Sequence, residues 1–165
     1  MNWKALYVAS RSEKKVVSRL TELCIEAYVP LKKERKQWSD RKKTVITPLI
    51  NGYVFVHITE QQREQVFKAQ GVIQYVRFNG GDAVIRDEEI TVLKSIEEKG
   101  YHAEAKPMEQ FSAGEKTIIS HGYFKGMTGT IERSSGKDIY TINLESIGYT
   151  LKINLPAEIL EKSKN

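Results

Sequence analysis

The sequence predicts an α+β domain with a mainly antiparallel sheet, followed by a small all-β barrel of about five strands. Three observations carry this. Residues 1–99 alternate short apolar strand patterns with amphipathic helical stretches in the order β-α-β-β-α-β-α. Residues 100–110, GYHAEAKPMEQ, lack periodicity, contain Pro107 and read as a linker. Residues 111–165 change texture: Thr117–Ile119, Thr128–Glu132, Ile139–Leu144, Tyr149–Ile153 and Ile159–Leu160 are short strand patterns, separated by the turn-rich HGYFKG, SSGKD and ESIG.

The elements follow in order. Ala5–Ala9 reads as a short buried strand. Ser12 is a possible N-cap, and Val16, Val17, Leu20, Leu23 and Cys24 then recur on one helical face. Cys24 accordingly reads as a small buried hydrophobe. Ala27–Leu31 is a second strand, and Val45–Ile58 is a strand interrupted by the turn pair Asn51-Gly52. Glu60–Gln70 reads as a short helix stopped by Gly71. Val72–Phe78 is a further strand, closed by the turn Asn79-Gly80-Gly81-Asp82. Asp87 opens a last helix through Glu98, with Ile90, Leu93 and Ile96 inward and an acidic first turn that suits the helix dipole.

Charge is concentrated rather than abundant. Lys32, Lys33, Arg35, Lys36, Arg41, Lys42 and Lys43 face only Glu34 and Asp40, an excess of five, which equals the net charge of all 165 residues. Such a loop is a solvated surface or a contact for a phosphate backbone. Trp38 stands among the charges, where it can stack on a base or pack the loop down. Arg11, Lys15 and Arg19, four residues apart on the first helix, extend the basic surface. With no base-reading motif, backbone or single-strand contacts are expected rather than a defined duplex site.

In Tyr53–Ile58, period 2 puts Val54, Val56 and Ile58 on one face and Tyr53, Phe55 and His57 on the other. The β-branched trio is the better core face. The aromatic face then looks outward as a protein-binding patch, joined by Ile50 and Tyr7, or else a helix covers it and both faces are buried. Further on, Gly114–Ile131 reads as a tight hairpin with glycines at 122, 126 and 129.

Other function classes find little support. The single cysteine excludes an intrachain disulfide and a multi-cysteine metal site. His57, His102 and His121 lie in separate segments, GYFKGMTG lacks the spacing of a P-loop, and no G-x-S-x-G occurs. No enzyme, cofactor or metal is expected. No apolar run approaches the roughly 20 residues of a membrane span, and the opening Met1-Asn2-Trp3-Lys4 leads into no signal core. A cytoplasmic monomer is expected.

Two motifs in the right order carry a resemblance. PLINGYVFV resembles the PLFPGYVFV-type signature of the N-terminal (NGN) domain of NusG-type transcription elongation factors, and GEKTIISHGYFKGMTGTI is similar to their C-terminal KOW motif. Trp3 with Leu6-Tyr7-Val8, Gly71-Val72 and Arg77-Phe78 fit the same family. SRSEKKV with QWSDRKK is most similar to specialised paralogues, the RfaH-type and UpxY-type regulators of capsular polysaccharide operons. Ile50-Asn51 in place of Phe-Pro, and Tyr123 in place of Pro, are departures.

The resemblance implies a transcription elongation and antitermination factor. Val8, Ile50, Tyr53 and Phe55 would form the apolar pocket for the clamp helices of the RNA polymerase largest subunit. Arg11, Lys14, Lys15 and Arg19, with Lys42 and Lys43 beside them, would approach the non-template DNA strand of the transcription bubble. A KOW domain with its turn at Gly122, Phe124, Gly126 and Gly129 would recruit a ribosomal protein or the Rho terminator. The β-rich run Thr117–Ile153, with Gly126, Gly129 and Gly136, argues against a helical C-terminal domain of the RfaH type. The rival reading is an RNA- or ribosome-binding KOW protein.

Overall fold

The computed structural model describes residues 1–108, 117–118, 124–125, 127–134 and 137–155. The chain divides into two compact units between Arg86 and Asp87. Both are built on antiparallel sheets, and helices accompany them.

In the first unit, β1 (Asn2–Val8) lies at the centre of the sheet. It pairs with β5 (Tyr53–Ile58) on one side and with β6 (Val72–Tyr75) and β9 (Val84–Ile85) on the other, while β2 (Glu26–Tyr28) flanks β5. One sheet face carries Leu6, Val8, Val54, Val56 and Ile58 into a core shared with Val16 and Leu20 of α1 (Glu13–Glu22), Val66 and Tyr75. Each such aliphatic side chain, taken fully out of water, contributes about 1.5–3 kcal/mol.

The end of α1 shows why a period-3.6 pattern can run too long. The Ile25 amide reaches back to the Leu20 carbonyl at 2.9 Å and the Cys24 amide to that of Thr21 at 2.9 Å, the paired bonds of a Schellman stop. Cys24 holds the left-handed position, φ 58°, where glycine is the usual choice. It is exposed, and Leu23 is 37% exposed. The expectation that both point inward is therefore corrected: the helix ends before their turn of the spiral comes round.

The basic segment is no loop. Leu31–Gln37 (β3) and Lys42–Pro48 (β4) form a separate two-stranded antiparallel sheet, in register from Leu31↔Pro48 to Gln37↔Lys42. Glu60–Gln70 is likewise no continuous helix but two single 3₁₀ turns, Glu60–Gln62 and Gln65–Lys68. Its apolar residues make no sustained stripe, and a segment so short cannot offset helix nucleation alone. The expected strand Val72–Phe78 breaks at Val76, whose amide bonds to the Ala5 carbonyl at 2.8 Å. Beyond the break, β7 (Arg77–Phe78) and β8 (Gly81–Asp82) make a small hairpin whose two turn residues, Asn79 and Gly80, have φ 52° and 87°. Two successive left-handed residues are the signature of a type I′ turn.

Under the core face, Tyr75 donates its hydroxyl to the Arg63 carbonyl at 2.7 Å, and the Arg63 guanidinium lies 4.8 Å from its ring centroid. Arg63 in turn grips Asp82 at 2.8 and 3.1 Å. Burial pushes the Tyr75 hydroxyl up to about 12, against the opposing pull of Arg63.

The second unit contains α2 (Asp87–Lys99) and a five-stranded antiparallel sheet in the order β10-β14-β13-β12-β11. The strands are β10 (Ala103–Pro107), β11 (Thr117–Ile118), β12 (Thr128–Ser134), β13 (Lys137–Leu144) and β14 (Tyr149–Leu155). Ile90, Leu93 and Ile96 of α2 are buried, as their spacing predicts. Glu89, also fully buried, accepts from the Ser146 amide at 3.1 Å and from the Ser146 hydroxyl, tying α2 to the β13–β14 turn. The division of the chain thus places α2 with this sheet, whereas the expected boundary lies after residue 99. The segment expected as a linker also holds β10, paired with β14 from Ala103↔Ile153 to Pro107↔Tyr149. Its alternation of Ala103 and Ala105 with Glu104 and Lys106 is a strand pattern written in small side chains. The strand expected at Ile159–Leu160 lies outside the described residues.

Candidate functional site

The junction between β1 and α1 is held from both sides. The Val8 amide bonds to the Gly52 carbonyl at 2.9 Å, and the Ala9 amide to the Gly71 carbonyl at 2.8 Å. Glu13, only 5% exposed, accepts the Gly52 amide on Oε1 at 2.8 Å. Gly52 has φ 78°, and the Tyr53 amide returns to the Ile50 carbonyl at 3.4 Å, the arrangement of a type II turn with glycine where positive φ is needed. At Gly71, φ 104°, an added Cβ would come within 2.8 Å of Val16 Cγ2. Two backbone positions that only glycine fills cleanly therefore fix the path of Ala9–Ser12 and the start of α1.

That path presents Arg11, exposed and itself in the left-handed region at φ 59°. Of the cations expected to contact DNA, Arg11, Lys14 and Lys15 are exposed and Arg19 is half-buried. Lys14 donates to the Ile46 carbonyl at 3.0 Å, tethering the β3–β4 hairpin to α1, and Arg19 donates to the Gln70 carbonyl at 2.5 Å. Each keeps its charge and further donors, so the helix is a positive edge that also braces its neighbours. Lys42 and Lys43 are exposed on β4.

The hairpin has two unlike faces. Lys33, Arg35 and Gln37 share one with their register partners Ile46, Thr44 and Lys42, and all six are exposed. On the other, Lys32, Glu34, Val45 and Thr47 are half-buried, and Lys32 pairs with Glu34 at 2.7 Å. Nearer the tip Lys36 stands directly opposite Lys43. Trp38 and Arg41 close the hairpin with bonds of 2.8 and 3.3 Å, and Trp38 is 56% exposed.

The aromatic face of β5 departs from its expected outward orientation. Phe55 is fully buried, Tyr53 is 4% exposed and Ile50 2% exposed. Both faces of the strand are covered, so the reading of Tyr53 and Phe55 as an exposed patch is corrected. The aromatics of this face interlock: Trp3 stacks on His57 with ring centroids 4.8 Å apart, and the Tyr7 and Tyr53 hydroxyls lie 2.9 Å from each other. Tyr7 and His57 are half-buried and form the accessible part of the group. Val8 belongs to the core on the opposite face, so the structure does not bring it together with Tyr53 and Phe55.

Of the expected turn residues in the second unit, Phe124 is buried and Gly129 is packed so closely on β13 that a Cβ would collide with the Thr141 carbonyl. Gly122 and Gly126 lie outside the described residues. Among the described residues no helix is long and apolar enough to cross a membrane, and no group of three His, Cys, Asp or Glu is placed to hold a metal ion.

Residue-by-residue reading missed Glu13, whose role needs a partner 39 residues away. It also missed the hairpin, although the β-branched Thr44-Val45-Ile46-Thr47 opposite a run of long side chains was an available signal.

Residues 1–94 match the family model described as transcription termination factor NusG. The transcription termination/antitermination protein NusG of Chlamydia pneumoniae is 26% identical over 140 residues, 78% of this chain and 76% of that protein. A solved structure reported as domain interaction in Thermotoga maritima NusG superposes with a TM-score of 0.55 at 17% identity, over 93% of this chain and 92% of that one. That likeness speaks for the fold.

Proposed function

Because the chain belongs to the family of the transcription termination factor NusG, we propose that it is a transcription elongation and antitermination factor that binds RNA polymerase and the DNA of the transcription bubble. The observation that carries this reading is the match over residues 1–94, a stretch that contains both the aromatic β5 and the cationic α1. In this reading the first unit grips the clamp helices of the largest polymerase subunit with the aromatic side of β5. Tyr7, half-buried and hydrogen-bonded to Tyr53, makes the contact. Ile50, Tyr53 and Phe55 form the rigid wall behind it. Arg11 and Lys15, exposed at the start of α1, face the non-template strand.

The mechanism is thermodynamic. A protein that binds the closed clamp better than the open one shifts the polymerase towards its processive state by that difference in affinity. The second unit acts as a KOW domain that recruits a further factor, a ribosomal protein or the Rho terminator. The runs SRSEKKV and QWSDRKK favour a specialised, operon-specific role over a general one. A cytoplasmic setting follows from the partners.

The test is binding of the full chain to purified polymerase. Tyr7→Ala removes an accessible aromatic without opening the core, and truncating a tyrosine anchor costs about 2 kcal/mol, roughly 30-fold in affinity. Undiminished binding by Tyr7→Ala overturns the assignment of this face. Arg11→Glu with Lys15→Glu should weaken association with an assembled elongation complex, most strongly at low salt.

A further inference from the structure

We propose that the β3–β4 hairpin is a second nucleic-acid contact: an arm that lies along a DNA backbone with one cationic face and stacks Trp38, at its tip, on an unpaired base. The inference rests on the transcription-factor reading for its choice of DNA, and on the hairpin alone for the rest.

Four features converge. The hairpin is a sheet of its own, not an extension of the central one. A two-stranded ribbon alone is marginal in water, so its persistence depends on its attachments, the Lys14–Ile46 bond and Leu31, which packs against the core of the first unit. Seven residues of strand extend it by about 23 Å. One face of the arm is half-buried, while the other face and the tip stay exposed and free to meet a partner.

Its exposed face carries Lys33, Arg35 and Lys42 with no acid between them. Among the described residues none of these three is paired with a carboxylate. Lys36 and Lys43 stand opposite each other across the strands. Like charges in that position repel and destabilise the pairing, and a phosphate lying over the tip would reverse the sign of that interaction.

Trp38 completes the arm. A large aromatic more than half exposed among cations is costly to leave in water, and it adds nothing to the core. The same ring is a stacking platform for any base, and single strands offer their bases unpaired. The arrangement recognises a strand through charge and stacking, without reading its sequence.

Intrinsic fluorescence of the full chain makes the test direct. The chain has two tryptophans, of which Trp3 is 6% exposed and stacked on His57. Trp38 is therefore the ring that a ligand can quench. The probes are a single-stranded DNA oligonucleotide, its abasic counterpart, the matching RNA and the blunt DNA duplex. Single-stranded DNA is expected to quench most; followed instead by the fluorescence anisotropy of a dye-labelled oligonucleotide, Trp38→Ala should lose about 5- to 150-fold in affinity for it while binding the abasic strand as the unchanged chain does. Lys33→Gln, Arg35→Gln and Lys42→Gln together should lower the salt slope by about 2.

Equal binding of the abasic strand by the unchanged chain, or full affinity in Trp38→Ala, overturns the stacking role. An unaltered salt slope overturns the cationic face, and a preference for RNA or duplex overturns the choice of ligand. All these substitutions fall on exposed side chains, and circular dichroism of each variant checks that the fold is kept. Polymerase binding is measured separately, so failure of the arm and failure of the broader reading give different results.

Discussion

Replacing Glu13 should loosen the loop that carries Arg11 and the strand that follows Gly52. The carboxylate is nearly buried and accepts the Gly52 amide at 2.8 Å. In Glu13→Ala that half-buried amide loses its acceptor. A hydrogen bond to a charged group is worth about 1.5–3 kcal/mol, and an acid in the first helical turn adds about 0.3–1 kcal/mol through the helix dipole. The expected cost is about 2–4 kcal/mol. Glu13→Gln keeps an oxygen for the amide and loses only the charge, so its cost should stay near 1 kcal/mol. With a urea slope of about 1–3 kcal/mol/M, Glu13→Ala lowers the unfolding midpoint by roughly 0.7–4 M. Hydrogen exchange should show the Gly52 amide losing protection in Glu13→Ala and largely retaining it in Glu13→Gln. Equal midpoints for the two variants, or an Ala variant as stable as the parent, would refute the claim that this carboxylate organises the junction.

Two further outcomes follow. Cys24→Gly removes the left-handed strain at φ 58°, which costs a non-glycine residue about 1 kcal/mol, and should raise the calorimetric Tm by about 2–4 °C; Cys24→Val at the same place should lower it. Tyr75 has its hydroxyl pushed up to about 12 from an ordinary 10, so the fold favours the neutral phenol. Its contribution is whole below about pH 10 and is lost as pH climbs through 12; urea midpoints measured across that window should fall more steeply for the parent than for Tyr75→Phe.

The sheet in the first unit was legible where pattern and burial agree. Val54, Val56 and Ile58 alternate cleanly and lie in the core. What period 2 cannot tell is whether the second face is also covered, because Tyr53 and Phe55 suit a binding patch and a buried layer equally well. Covered strands carry apolar residues on both sides, and here the second reading holds. The hairpin was hidden for the opposite reason: LKKERKQ has no apolar alternation to announce a strand, since its ladder is supplied by Lys42–Pro48 across the way. In β10 the alternation was present but muted, alanine being too small to stand out. Spacing made Lys15 and Arg19 legible on α1, but Arg11, read as helix-borne, precedes the helix at φ 59°; the bonds from Lys14 and Arg19 to distant carbonyls were not legible, because no local rule pairs residues 32 and 51 positions apart.

The centrality of β1 also dictates an order of assembly. Its neighbours come late: Tyr7 meets Tyr53 46 residues on, and Lys4 meets Glu60 56 residues on. At a synthesis rate of about 5–20 residues per second, the strand at the middle of the sheet waits roughly 2–10 s for its first partner. Until then an apolar ribbon with two open edges is at risk of pairing with another copy of itself. During that interval α1 and its Schellman stop can form, and the β3–β4 hairpin can dock on α1 through the Lys14–Ile46 bond, since residues 13–48 are made before Tyr53. Folding of this unit should therefore be limited by the capture of β1, and slow mutants are to be sought along its contacts with β5 rather than in the helix.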